Sequence, residues 1–113
     1  AKEKGIDFII CDHHVPDDVL PPAVAILNAK RTESAYPYPH LSGCGVGFKF
    51  MQAFAKSNGI PFSQLLSLLD LCAVSIASDI VPIMGENRIL AYHGLRQLNS
   101  NPSTLKQASR WLV

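Results

Sequence analysis

Asp12-His13-His14 sets one carboxylate and two imidazoles side by side, a donor set that suits Mn²⁺, Zn²⁺ or Fe²⁺. Adjacent side chains point in different directions, so the tripeptide supplies at most part of a coordination shell and reads equally well as a charged surface turn. A second acid, Asp79, lies inside an apolar stretch, with Ser75-Ile76-Ala77-Ser78 before it and Ile80-Val81-Pro82-Ile83 after it. A carboxylate so placed must be paired, cap a backbone group or bind metal, because an unpaired buried charge is very costly. Taken alone, the residues favour a helix-terminal cap. Asp70, earlier in the same stretch, reads as a partly exposed or salt-bridged acid. In Ser42-Gly43-Cys44-Gly45-Val46-Gly47-Phe48-Lys49, glycines leading into a helix can let phosphate approach its positive end. The G-x-x-x-x-G-K-[ST] spacing is missing, and close helix packing accounts for the same glycines. Gly85-Glu86-Asn87-Arg88 reads either as a polar helix start with an Arg–carboxylate pair or as a substrate clamp, the helix start being the simpler.

The rest of the chain must position these groups. Its 113 residues, 48% hydrophobic and 17% charged, fit one small domain or a piece of one and exclude disorder and collagen-like repetition. Ten Lys and Arg against nine Asp and Glu give a net charge of +1, so any nucleic-acid contact must be local. Apolar stretches fall far short of the roughly 20 residues that span a bilayer, which predicts a soluble chain. Cys11, Cys44 and Cys72 are odd in number and contain no C-x-x-C pair, which argues against a disulfide framework or a structural zinc site and points to a reducing cytoplasm. Ala1-Lys2-Glu3-Lys4 carries no signal-peptide core.

The pattern predicts an α/β fold, with short parallel strands followed by a mostly helical second half. After Gly5, Ile6-Asp7-Phe8-Ile9-Ile10 has the composition of a strand buried in a parallel sheet, which puts Asp12-His13-His14 at its carboxyl end. In open α/β sheets that is where ligands collect. Val24-Ala25-Ile26-Leu27 is a second strand closed by Asn28, and the prolines between Lys30 and His40 make that segment a loop. Ser42 caps a helix with Val46, Phe50, Met51 and Phe54 inward, ending near Asn58-Gly59. Pro61 opens a single buried helix from Phe62 that stops by Asp79. A further helix from about Glu86 to Leu98 turns Ile89, Leu90, Tyr92 and Leu95 inward, and Ser103 caps a last one running to Trp111. Both ends look cut from a longer protein.

The order of these pieces resembles the DHH phosphoesterase superfamily, and within it the RecJ branch of single-stranded-DNA-specific exonucleases. The resemblance runs through Phe8-Ile9-Ile10-Cys11-Asp12-His13-His14, Leu20-Pro21-Pro22 and Ala25-Ile26-Leu27-Asn28-Ala29-Lys30-Arg31. It continues through Tyr36-Pro37-Tyr38, Leu41 to Lys49, Ala77-Ser78-Asp79-Ile80-Val81-Pro82-Ile83 and Gly85-Glu86-Asn87-Arg88-Ile89-Leu90, and so covers nearly the whole chain. Asp12-His13-His14 is then similar to the name-giving motif, and Asp79 to the last acidic motif. Cys11 stands where many relatives carry threonine.

The resemblance implies two-metal hydrolysis of phosphodiester bonds with Mn²⁺, or Mg²⁺ in its place, from the 5′ end of single-stranded DNA in repair and recombination. It makes His13 and Asp79 metal ligands, His14 a phosphate-facing or ligand-orienting residue, and Asp12 a residue that orients the site. Single-stranded DNA is the implied partner, with helicases or single-strand-binding proteins beside it and no membrane. The family also uses an earlier Asp-x-Asp-Gly-type motif, a further acidic motif and later DNA-binding domains. Residues 1–113 therefore correspond to the carboxyl-terminal part of the catalytic domain, and this stretch alone is expected to be inactive or nearly so and to bind Mn²⁺ weakly. Two other functions fit the same residues: a DHH phosphoesterase acting on short oligonucleotides, cyclic dinucleotides or pyrophosphate, and an inactive replication scaffold. Against the scaffold stand Asp12, His13, His14 and Asp79, a set for which it has no chemical need.

Overall fold

Gly5 leaves a short 3₁₀ turn, Lys2–Lys4, at φ +63°, a conformation open to glycine, and the apolar run behind it extends into strand β1, Ile9–Cys11. The computed structural model describes residues 2–100, so the helix expected after Ser103 lies outside the described residues. Strand β2, Ala25–Leu27, pairs with β1 in parallel, with Ile9 opposite Ala25, Ile10 opposite Ile26 and Cys11 opposite Leu27. Parallel pairing needs a long crossover. Here it is an irregular segment carrying Pro16, Pro21 and Pro22, which has no helix. Asp12 N–H donates to Leu27 O at 3.0 Å and Val24 N–H to Phe8 O at 2.9 Å, extending the ladder at both ends. The expectation of a buried strand is not met. Ile6, Phe8 and Ile9 are about half-exposed, because the sheet has two strands among the described residues and neither face of β1 is fully covered.

Helix α1, Gly43–Ser57, starts where Ser42 Oγ accepts Gly45 N–H at 3.2 Å and ends at Asn58, with Gly59 at φ +66°. Its buried side chains are Val46, Phe48 and Ala55, while Met51 and Phe54 are exposed. Of the expected inward residues, Val46 is buried and Phe50 partly so, whereas Met51 and Phe54 face out. The helix touches β1 as well as the helical segments that follow it.

The single helix expected from Phe62 is two elements. Phe62–Leu68 is 3₁₀, and helix α2, Leu69–Ser78, follows it. Phe62, Leu65 and Leu68 recur every three residues, the period at which 3₁₀ side chains eclipse, and Phe62 meets Phe48 edge-on with ring centroids 6.3 Å apart. Asp70 is buried rather than partly exposed, with Oδ1 accepting Leu71 N–H at 2.7 Å.

Helix α3, Gly85–Ser100, packs mainly on α2. Asn87, Leu90, Ala91 and Gly94 face inward, whereas Ile89, Tyr92 and Leu95 are exposed. Choosing the largest apolar residues misplaces this face, because the two helices meet where α3 is smallest. At its start, Gly85 has φ +50° and lies under the Tyr38 ring, and a Cβ there would come within 2.8 Å of Tyr38 Cε2. Tyr38 OH donates to Met84 O at 2.7 Å, and the wholly buried Asn87 donates from Nδ2 to His40 O at 2.6 Å and Pro82 O at 3.0 Å. These contacts join the chain entering α1 to the chain leaving α2.

The core gathers Leu41, Val46, Phe48, Leu65, Leu69, Cys72, Ile76 and Leu90. Cys72 is 1% exposed, and burial, with Cys44 and Asp70 adding to the effect, pushes its thiol up to about 12 from 9.0. An unfolded chain ionises this thiol near its ordinary value, so folding stability is fully present below about pH 9 and is lost as pH rises toward about 12. Tyr36, whose phenol is pushed well above its ordinary range by burial and by Glu86, adds to the alkaline decline. Denaturant titrations at about pH 8 and about pH 11 are expected to show lower stability at the higher pH, with a smaller difference in Cys72→Ala; an equal difference in both proteins would contradict this assignment.

Candidate metal centre

Asp12, His13 and His14 leave the carboxyl end of β1, and Asp79 ends α2. His13 Nε2 lies 3.6 Å from Asp79 Oδ2, with the two side chains 18% and 25% exposed. Residues distant in sequence thus meet where the end of β1 approaches the end of α2.

Asp79 is held from two directions. Its Oδ2 accepts Gly43 N–H at 3.0 Å, at the first residue of α1, and the Ser75 hydroxyl at 3.1 Å, one turn back on α2. Ser75 Oγ in turn accepts Cys44 N–H at 3.2 Å. A carboxylate is favoured at a helix N-terminus, where unpaired N–H groups and the macrodipole concentrate positive charge. A Cβ on Gly43 would stand 3.5 Å from the His13 ring and 3.8 Å from Asp79 Oδ2, so this glycine lines the site. The N–H groups of Gly43, Cys44 and Gly45 are all spent within the protein, and Lys49 pairs with Glu86 at 3.0 Å. The glycine-led helix start is therefore filled by Asp79 rather than open to a phosphate. Glu86 also accepts Tyr36 OH at 2.7 Å, and the cation it pairs with is Lys49.

Asp12 is occupied locally. Its Oδ1 accepts His13 N–H at 2.8 Å and His14 N–H at 3.3 Å, and it lies 2.7 Å from His14 Nδ1. The His14 ring hydrogen bond holds Asp12 below the usual carboxylate range, with the two backbone N–H groups helping and partial burial opposing. His14 is 77% exposed, and its ring lies 4.4 Å from that of His13, centroid to centroid. The buried Asn28 fastens this turn from beneath, donating from Nδ2 to His14 O at 2.8 Å while its Oδ1 accepts Lys30 N–H at 2.9 Å. Sequence reasoning missed Asn28 and Ser75. The signal for Asn28 was its place at the end of β2, facing the end of β1. Ser75 could be found only from its spacing of four residues from Asp79.

One imidazole and one carboxylate suit a divalent cation of the Mn²⁺ kind. Among the described residues no group of three or more His, Cys, Asp or Glu gathers to hold a metal ion, so this pair fits as part of a shell. The backbone after it is strained: Ile80 has φ +51°, unusual for a β-branched residue, and its side chain is exposed.

A family model described as "DHH family, N-terminal domain" matches residues 1–76. The single-stranded-DNA-specific exonuclease RecJ of Haemophilus influenzae is 40% identical over 106 residues, covering 88% of this chain and 18% of its own length. The protein of the same name from Bacillus subtilis is 43% identical over 98 residues, 87% of this chain and 12% of its own. The one from Thermus thermophilus is 32% identical over 96 residues, 85% of this chain and 14% of its own. The chain thus spans less than a fifth of the length of these curated relatives. No solved structure matched. No helix among the described residues is long and apolar enough to cross a membrane.

Proposed function

The chain belongs to the DHH family, and on that premise we propose that the protein carrying it is a metal-dependent exonuclease that hydrolyses phosphodiester bonds from the 5′ end of single-stranded DNA. Its setting in this reading is DNA repair and recombination in the cytoplasm, and residues 1–113 are the carboxyl-terminal part of its catalytic domain. The names of the RecJ relatives support the substrate class. The observation that carries the reading is the 3.6 Å approach of His13 Nε2 to Asp79 Oδ2.

In this reading His13 and Asp79 hold Mn²⁺, or Mg²⁺ in its place, together with donors from outside the described residues. When bound, such cations polarise phosphoryl oxygens and neutralise charge developing on the phosphorus and leaving oxygens. Asp12 orients the His14 ring through Nδ1, which leaves Nε2 to meet a phosphate oxygen from an exposed position. Asn28 holds the backbone of this turn against the end of β2.

Nucleotide release by the whole protein tests the reading, with single-stranded DNA, duplex DNA, a dinucleotide, a cyclic dinucleotide and pyrophosphate compared in the presence of Mn²⁺ and after chelation. Single-stranded DNA is expected to be consumed from its 5′ end, with activity lost on chelation and restored by Mn²⁺. Turnover of a dinucleotide, a cyclic dinucleotide or pyrophosphate with single-stranded DNA untouched would replace the exonuclease reading by that of a small-substrate phosphoesterase. Metal-independent cleavage would remove His13 and Asp79 from it.

A further inference from the structure

We propose that Ser75 is a positioning residue for the candidate metal centre, its hydroxyl holding the Asp79 carboxylate in register with the His13 imidazole. The inference rests on the reading of His13 and Asp79 as metal ligands and adds a residue that sequence analysis treated as part of an apolar run.

The hydrogen-bond directions are forced. A carboxylate oxygen can only accept and a backbone N–H can only donate, so the one Ser75 proton goes to Asp79 Oδ2, at 3.1 Å, and a lone pair takes Cys44 N–H, at 3.2 Å. Serine inside a helix commonly returns its proton to the carbonyl four residues back. Here the proton is directed forward, to the side chain four residues on, which lies on the same helix face. Gly43 N–H reaches the same oxygen from α1, at 3.0 Å. The carboxylate is therefore tied to both α1 and α2, and it cannot rotate without breaking two hydrogen bonds.

Such restraint matters most at this place. Asp79 is the cap residue of α2, and helix ends leave backbone groups unsatisfied and fray. The next residue, Ile80, is strained and exposed, so its own side chain lends the acid no packing. Ser75 acts on the site through Asp79, the ligand its hydroxyl touches. Removing that hydroxyl leaves the ligand in place with the Gly43 N–H as its remaining tie, and loss of such a supporting partner typically weakens metal binding without abolishing it.

The test compares Ser75→Ala, Ser75→Thr and Asp79→Ala in the whole protein, using Mn²⁺ binding by calorimetry, Mn²⁺-dependent nucleotide release and metal-free thermal melting. Ser75→Ala is expected to bind Mn²⁺ about 10–100-fold more weakly, with the Mn²⁺ concentration for half-maximal hydrolysis rising by the same factor, while Ser75→Thr returns to within about threefold of the parent. The rate at saturating Mn²⁺ is expected to recover largely in Ser75→Ala, and its melting to stay close to the parent. Unchanged Mn²⁺ affinity in Ser75→Ala, beside a clear loss in Asp79→Ala, would overturn the role of Ser75 alone. Ser75→Thr binding as weakly as Ser75→Ala would also overturn it, by assigning the loss to packing. Unchanged Mn²⁺ affinity in Asp79→Ala would overturn the metal reading of the site, and the Ser75 inference with it.

Discussion

Asp79→Ala is expected to lower the rate of nucleotide release by about 10³-fold or more, equivalent to about 4 kcal/mol of barrier, because it removes a proposed metal ligand. The same substitution also breaks a structural tie, since Asp79 Oδ2 accepts Gly43 N–H and the Ser75 hydroxyl. By analogy with the loss of a helix cap, it should cost about 0.5–2 kcal/mol of stability. Alanine alone therefore does not separate ligand loss from cap loss. Asp79→Asn does so, because its side-chain oxygen can still accept Gly43 N–H and the Ser75 proton while the negative charge is gone. Asp79→Asn is expected to melt close to the parent, to bind single-stranded DNA as before and to lose hydrolysis nearly as completely as Asp79→Ala. His13→Ala should lose hydrolysis in parallel. A folded Asp79→Asn protein with near-normal Mn²⁺-dependent cleavage would reduce Asp79 to a cap and end its assignment as a ligand.

That double duty shows why the site was only partly legible in the sequence. The place of Asp12-His13-His14 comes from local rules: a β-branched run bounded by Gly5 becomes a strand, and the tripeptide next to that run lies at the strand's carboxyl end. The place of Asp79 comes likewise from an apolar helix broken by Pro82. The tie between them has no such local origin. The contact from Gly43 to Asp79 crosses between two helices, and its donor is a backbone group that every residue type except proline carries, so no residue identity marks it. Ser75 is nearly silent, since a serine in an apolar helix gains meaning only from its spacing of four residues from Asp79. The glycine-led start of α1 suggested an anion site for a sound physical reason. The anion is the protein's own carboxylate.

Helix faces failed for a different reason. Apolar periodicity locates α1 and α3 correctly but assumes that the largest side chains point inward. In α3 the large residues Ile89, Tyr92 and Leu95 are exposed, and Ala91 and Gly94 are buried. Close approach of two backbones selects small residues at the crossing, and hydrophobic scales give glycine no weight. The split of Phe62–Leu68 from α2 has a related cause: its three-residue apolar spacing lies near enough to 3.6 that both helix types fit the pattern.

The crossing of α2 and α3 makes Gly94→Ala the substitution with the largest expected cost in stability. A Cβ at Gly94 would overlap the Leu69 carbonyl oxygen and stand 2.7 Å from Ala73 Cβ. Neither neighbour is the far end of a flexible side chain. The carbonyl belongs to the first turn of α2 and Ala73 to its middle, so relief requires the two helices to move apart. Separation would loosen packing around Leu69, Cys72, Ile76 and Leu90, all buried in the shared core. In an unencumbered helix interior, alanine is favoured over glycine by about 1 kcal/mol. Here overpacking should outweigh that gain, for a net loss of about 3 kcal/mol. Gly47→Ala provides the opposite case within the same fold, because Gly47 is also helical and has nothing within 4 Å of the Cβ position. It is expected to raise stability by about 0.5–1 kcal/mol. Urea denaturation of the two variants beside the parent checks both signs at once. Gly94→Ala unfolding at the same denaturant concentration as Gly47→Ala would mean that α2 and α3 do not meet at Gly94.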